Sequence, residues 1–222
     1  ILETGYRHLK PDFLTAAEAR RLRATAALGM VQAFRRGSQT VLSLVPELEA
    51  RLRASGDADG FALLSDLLER VRRQCEEDRR QPGEPLLPCG ALLIRLEPPG
   101  AADQPLHMDG GHLFQGTHGF EQPQCPPHCC NVFLPLVDVT AENGPTEFWP
   151  GSHVIGKARD AYDGGEPGVA LAGAVGDIIV FDYRVVHRGM ANAATAARPV
   201  LYSTFSRPWF RDALNFPDDA LF

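Results

Sequence analysis

The chain has 222 residues, a formal net charge of −6 and an apolar fraction of 44%, enough for one substantial domain with its own core. It holds no apolar run of membrane-spanning length and no signal-peptide pattern, so no membrane partner is expected. All but two of its 22 basic residues (Lys10 and Lys157) are arginine; they crowd the first 80 positions but alternate with Glu and Asp, the pattern of solvated helix faces, so no nucleic-acid partner is expected either.

Residues 5–10, GYRHLK, read as a short strand. Thr15 and Glu18 then form a capping box that opens a helix over about 16–28. Phe61, Leu64, Leu67, Leu68 and Val71 recur at helical spacing, which predicts a second helix near 59–80. The segment QPGEPLLPCG, 81–90, breaks the pattern. Beyond it the texture changes to short β-type runs: ALLIRL, NVFLPLVDV, TEFW, VALA, DIIVFDY and PVLYSTF, separated by Gly, Pro, Asn and Asp. Residues 114–129 have no period and read as a long loop, of the kind that often forms a lid or binding wall. Helices first and strands after predict one α+β, mainly β domain over 1–222, with helical support at about 12–82 and a β-sandwich or barrel core at about 90–210.

The stretch QPLHMDGGHLF, 104–114, carries the chemistry. His107 and Asp109 stand one residue apart, so a strand presents both on one face. A second histidine, His187, ends the run GDIIVFDYRVVHRG. Two histidines and one carboxylate on a rigid β scaffold are the facial triad of non-haem Fe(II) oxygenases, which leaves positions open for cosubstrate and O2. Eleven residues past His187, Arg198 opens the strand RPVLYSTF; an arginine there can grip a carboxylate with two parallel hydrogen bonds.

These elements together resemble the phytanoyl-CoA dioxygenase family of Fe(II)/2-oxoglutarate-dependent dioxygenases. The likeness extends to VDVTAENGPTEFWPGSH, 137–153, to the second-histidine strand, and to the opening GYRHLKPDFLTAAEARRLR. It covers about residues 5–212. The resemblance implies a double-stranded β-helix (a jelly roll, cupin-like) with N-terminal bracing helices. It implies His107, Asp109 and His187 as iron ligands, and Arg198 as the partner of the distal carboxylate of 2-oxoglutarate. O2 is the co-reactant, succinate and CO2 are the by-products, and ascorbate is a candidate reductant. Members that halogenate have a small residue in place of the carboxylate, so Asp109 points to hydroxylation. Two departures stand out: Gly189 where many members have serine two residues after the distal histidine, and Val200 where Asn or Ser is common. Asn131, Thr146 and Tyr202 are therefore further candidates for cosubstrate contacts.

Other features have plainer readings. His112 follows two glycines beyond Asp109 and is expected at the site mouth, as a substrate contact or a solvated loop residue, and not as a ligand. His153, in PGSH, is expected to be structural. Cys125, His128, Cys129 and Cys130 tempt a zinc reading, but structural zinc usually draws on two separated pairs; free thiols are the expectation. The five cysteines (Cys75 and Cys89 are the others) are odd in number and two are adjacent, which points away from a disulfide framework and toward a cytoplasmic chain. Ile1 leaves a removed leader open. The functional expectation is hydroxylation of a small organic molecule. Its rivals are an oxygenase acting on a protein side chain or a nucleobase, and a catalytically silent jelly-roll binding module.

Overall fold

The computed structural model describes residues 4–9, 13–27, 33–36, 39–43, 58–77, 87–88, 93–97, 99–113, 125–212 and 215. In chain order the elements are β1 (Tyr6–Leu9), α1 (Ala16–Ala27), β2 (Ala33–Arg36), β3 (Gln39–Ser43), α2 (Ala58–Glu77), β4 (Leu87–Pro88), β5 (Leu93–Glu97), β6 (Cys129–Pro135), β7 (Thr146–Phe148), α3 (Ala158–Tyr162), β8 (Val169–Leu171), β9 (Ile178–Asp182), β10 (His187–Gly189) and β11 (Arg198–Ser206).

The first helix starts as its sequence dictates. The Glu18 N–H donates to the Thr15 hydroxyl at 3.1 Å, and the Thr15 N–H donates to the Glu18 carboxylate at 2.7 Å, so two orphan donors of the first turn are satisfied reciprocally. Helix α2 presents the fully buried Leu67 and Val71. Its Arg70 donates to Glu18 at 3.0 Å and to the Phe13 carbonyl at 2.8 Å, which ties α2 to α1. Arg23 of α1 reaches the carbonyl of Leu136, just past β6.

The strands form two antiparallel sheets. The larger runs β1-β9-β6-β11-β5-β3-β2, with β4 beside β11; the smaller runs β10-β7-β8. Strand β11 is buried along all nine residues and pairs with β6 on one side and with β5 and β4 on the other. Between the sheets lies an aromatic core of Phe133, Phe148, Phe181 and Tyr202 with Ile179, Val185 and Val200. Phe148 of the small sheet meets Phe181 of the large one edge-on at 5.0 Å, a geometry that ring quadrupoles favour.

Four features depart from the sequence reading. The β2–β3 hairpin was not foreseen: Gly37-Ser38 between the two strands is a two-residue turn signal, but the flanking runs AFRR and QTVLS show no clean alternation to accompany it. The short helix α3 was missed because its N-cap is Lys157, which makes no side-chain capping bond. Strand β6 begins at Cys129, inside the stretch read as loop; the ladder to Ser206 and Phe205 recruits both cysteines. A two-residue strand, β4, interrupts the 81–90 break. The helix end at 78–80 and the loop at 114–124 lie outside the described residues.

Candidate metal centre

His107 sits at an isolated antiparallel bridge to His187. Their backbones exchange hydrogen bonds of 3.0 and 2.9 Å, so the two imidazoles stand side by side with ring centroids 4.4 Å apart. The turn 149–152, part of the PGSH segment, sets the strand that delivers His187. The Trp149 N–H donates to the Val186 carbonyl at 3.0 Å, and the Val186 N–H donates to the Ser152 hydroxyl at 2.8 Å. The His187 ring then packs against Phe181 and Phe148 at 5.0 and 5.7 Å and is 1% exposed.

Asp109 completes the group. Its carboxylate lies 3.8 Å from His107 Nε2 and 3.5 Å from His187 Nε2, and one potential ligand atom from each of the three residues falls within 4.8 Å of the others. Two donors bound cis to one ion at about 2.1 Å would stand about 3 Å apart, so to seat a metal the two Asp109 distances would close by under about 1 Å and the widest pair in the group by no more than about 1.8 Å. Each histidine presents its ring nitrogens in the sense a ligand needs. His107 Nδ1 is 2.9 Å from the Pro105 carbonyl and His187 Nδ1 is 3.0 Å from the Val185 carbonyl. A proton on each Nδ1 satisfies those carbonyls and puts the ring's lone pair on Nε2.

Asn131 is fully buried on β6. Its amide donates to Asp109 Oδ2 at 2.5 Å, and its Oδ1 accepts from the Thr204 hydroxyl at 2.8 Å. Asn131 was expected to touch cosubstrate; in the structure an N–H of its amide holds the Asp109 carboxylate. Arg198, Val200, Tyr202 and Thr204 share the inner face of β11 by alternation, and Val200 and Tyr202 belong to the core. Arg198 is 6% exposed, and its Nε donates to the Asn143 carbonyl at 3.1 Å. That carbonyl belongs to the Glu-Asn-Gly-Pro turn. The turn is closed by Thr140–Asn143 bonds and requires Gly144, whose φ of +82° and 2.4 Å Cβ approach to the Met190 carbonyl exclude a side chain. Thr146 and Tyr202, both buried, lie on the same interior, Thr146 directly opposite Gly189. Arg188 points away from the core, bound to Glu147 at 2.7 Å and to Asp103 at 3.3 Å.

The glycine at 189 has a physical reason. A Cβ there would stand 2.8 Å from Gln104 Oε1, and that same oxygen accepts the Gly189 N–H at 2.7 Å. Gln104 thus fills the space a side chain would occupy. Its signal in the sequence was indirect, a missing side chain at 189.

At two places the structure decides between readings that the sequence left open. His112 is 9% exposed, not solvated. Burial, reinforced by Arg184, lowers its pKa, and among the described residues neither ring nitrogen has a hydrogen-bond partner. The Cys125, His128, Cys129 and Cys130 cluster is not assembled: the triad is the one group of three or more potential ligands among the described residues. His128 is buried against Phe210 at 4.4 Å, and desolvation, with Arg184 second, pushes its pKa down to about 4. None of the three described cysteines, Cys125, Cys129 and Cys130, is in a disulfide.

The sequence matches the phytanoyl-CoA dioxygenase (PhyH) family over residues 2–200. The chain belongs to that family. The chain is similar to the dioxygenase andF of Emericella variicolor, 30% identical over 118 residues, which is 52% of this chain and 39% of andF; it thus spans about two fifths of the length of that relative. Among solved structures the fold is shared with SnoN, a non-haem α-ketoglutarate-dependent epimerase from nogalamycin biosynthesis (TM-score 0.66, 21% identity, 98% of this chain and 85% of SnoN). It is shared too with SnoK, an α-ketoglutarate-dependent carbocyclase from the same biosynthesis (TM-score 0.64, 18% identity, 97% of this chain and 85% of SnoK). SnoN has been solved with Fe3+, α-ketoglutarate and nogalamycin RO. A PhyH-family chain with antiparallel sheets around a His-Asp-His group is what the residues in QPLHMDGGHLF and GDIIVFDYRVVHRG produce. No described helix is long and apolar enough to cross a membrane.

Proposed function

We propose that this chain is a single jelly-roll domain with N-terminal bracing helices, acting as an Fe(II)- and 2-oxoglutarate-dependent oxygenase on a small organic molecule. The observation that carries this is the grouping of one potential ligand atom each from His107, Asp109 and His187 within 4.8 Å of one another. Fe(II), with 2-oxoglutarate and O2, supplies the oxidising power to break a substrate C–H bond, while the cosubstrate leaves as succinate and CO2.

The protein's own part is positioning. His107, Asp109 and His187 would hold the iron from one side. The carbonyls of Pro105 and Val185 keep the two imidazoles in the ligating tautomer, and Asn131 with Thr204 fixes the carboxylate. Arg198 is a buried cation on the inner face of β11 and would take the distal carboxylate of 2-oxoglutarate, with Thr146 and Tyr202 beside it. Phe148 and Phe181 cover one side of His187 and exclude water from it.

The test is anaerobic. The purified protein should take up one Fe(II) per chain, and 2-oxoglutarate should then add a visible charge-transfer band that His187→Ala abolishes. A band of full strength in His187→Ala removes that residue from the centre. In air, Asp109→Gly should lose substrate oxidation; wild-type turnover in that variant sinks the triad. A substrate library read by mass separates the outcomes. Hydroxylation adds one oxygen, epimerisation leaves the mass unchanged, and oxidative ring closure removes two hydrogens. Hydroxylation is the expectation that the carboxylate at 109 supports.

A further inference from the structure

After β11 the chain turns through Arg207–Phe210 and returns to the loop that bears Asp109. Asn215 Nδ2 lies 2.9 Å from the backbone carbonyl of Asp109, 2.9 Å from the Tyr183 hydroxyl and 2.9 Å from Asp212 Oδ2. The Asn215 N–H donates to Asp212 Oδ1 at 3.0 Å. The Tyr183 hydroxyl donates to Asp212 Oδ2. Tyr183 also holds the next residue of the loop: its carbonyl accepts the Gly110 N–H at 3.0 Å, and its ring stands where a Cβ on Gly110 would be, 2.3 Å away. Tyr183 is 1% and Asp212 7% exposed.

Asp109 lies in a bend and not in a strand, so no ladder fixes its backbone. Asn131 orients its carboxylate from one side, and the Tyr183–Asp212–Asn215 group grips its carbonyl from the other. A side chain held at both its head and its root has few ways to leave the ligating position.

We propose that Tyr183, Asp212 and Asn215 are positioning residues for the metal centre, a latch by which the segment after β11 fixes the Asp109–Gly110 loop; this rests on the iron reading above. Asp212 and Asn215 lie beyond the part of the chain that matches the family, residues 2–200, so family membership does not imply the latch. Outer partners of a ligand are worth roughly 10–100-fold in metal affinity.

The experiment is an anaerobic Co(II) titration of the full chain without cosubstrate, read by the visible bands of the bound ion, alongside thermal unfolding of the metal-free protein. Asn215→Ala should bind Co(II) at least about tenfold more weakly than wild type, with metal-free unfolding little changed. Asn215→Asp keeps the shape, removes the donors and should fail equally. Tyr183→Phe keeps the ring over Gly110, loses the hydroxyl and should be several-fold weaker; it decides the matter if Asn215→Ala does not fold. Arg211→Ala, an exposed change in the same segment, should bind as wild type. Wild-type affinity in Asn215→Asp overturns the latch, and so does an equal loss in Arg211→Ala, which would mark a general disturbance of the segment. The wild-type titration separates this from the parent reading: no Co(II) uptake there fails the metal centre and takes the latch with it, whereas tight uptake in wild type and in all variants fails the latch alone.

Discussion

Replacing Asn131 by leucine keeps the volume of a fully buried side chain but deletes both its hydrogen bonds. The first is to the Asp109 carboxylate at 2.5 Å, a charge-assisted contact of about 1.5–3 kcal/mol. At 1.4 kcal/mol per factor of ten that is roughly 10–150-fold in metal affinity. The second is from Thr204 at 2.8 Å; stranding that buried hydroxyl costs about 1–3 kcal/mol of folding stability. The two losses separate by experiment. Anaerobic metal titration without 2-oxoglutarate reads the first, and urea unfolding of the metal-free protein reads the second. Adding Thr204→Val should return much of the stability, because a pair removed together leaves nothing unsatisfied, but none of the metal affinity. Wild-type metal affinity in Asn131→Leu would refute the reasoning. If the loss appeared only once 2-oxoglutarate was present, Asn131 would be a cosubstrate contact, as its sequence position first suggested.

Arg198→Ala should raise the 2-oxoglutarate requirement at least tenfold, since removing one partner of a buried charge pair costs about 2–5 kcal/mol, while metal affinity without cosubstrate holds; an unchanged requirement in steady-state kinetics would shift the anchor elsewhere. Gly110→Ala forces a Cβ to within 2.3 Å of the buried Tyr183 ring, so both melting temperature and metal affinity should fall, by about 1–3 kcal/mol or more of stability; two unchanged values would mean the loop does not rest on that ring. His128 is held down to about 4 by burial, below its ordinary value, so the unfolded chain takes up the proton first as pH drops. Its stability contribution is complete above about 6.5 and is lost as pH falls toward 4, up to about 3 kcal/mol. Urea unfolding at pH 7.5 and pH 5 should show a smaller difference in His128→Phe than in wild type.

The His107–Asp109–His187 group was legible from its spacing. One intervening residue keeps His107 and Asp109 close together, although Asp109 sits in a bend and not on the strand that the reading assumed, and a Gly-Asp turn, an apolar run and a histidine describe β9 leading into β10. The capping box at Thr15 was legible for the same reason, a local rule with a local readout. What escaped was everything that depends on pairing across the chain. Asn131 was noticed as a polar residue opening an apolar strand, but its partner Thr204 is set by the β6–β11 register, which no single segment encodes. Gln104 was invisible until the bridge beside β10 set it against Gly189. His112 was read at the site mouth, as a substrate contact or a solvated residue, because two glycines precede it; the charged groups that act on it, Arg184, Asp182 and His153, are far away in sequence. Strand β6 begins two residues before the run NVFLPLV, with Cys129 inside the loop reading, because cysteines carry no strand signal of their own.

The placement of β11 bears on how the protein is made. Its neighbours β5 and β6 are finished at Glu97 and Pro135, yet the strand that joins them begins at Arg198. At the usual 5–20 residues per second, β6 waits roughly 3–13 s on the ribosome for β11, and for the first part of that time its other neighbour β9 is missing too; β1 waits longer still for β9. Open apolar edges are where nascent chains stick to one another. A product that stops short of β11 would keep those edges and would lack both Arg198 and Thr204. Premature termination should therefore yield insoluble material, with no weakly active fragment among the products.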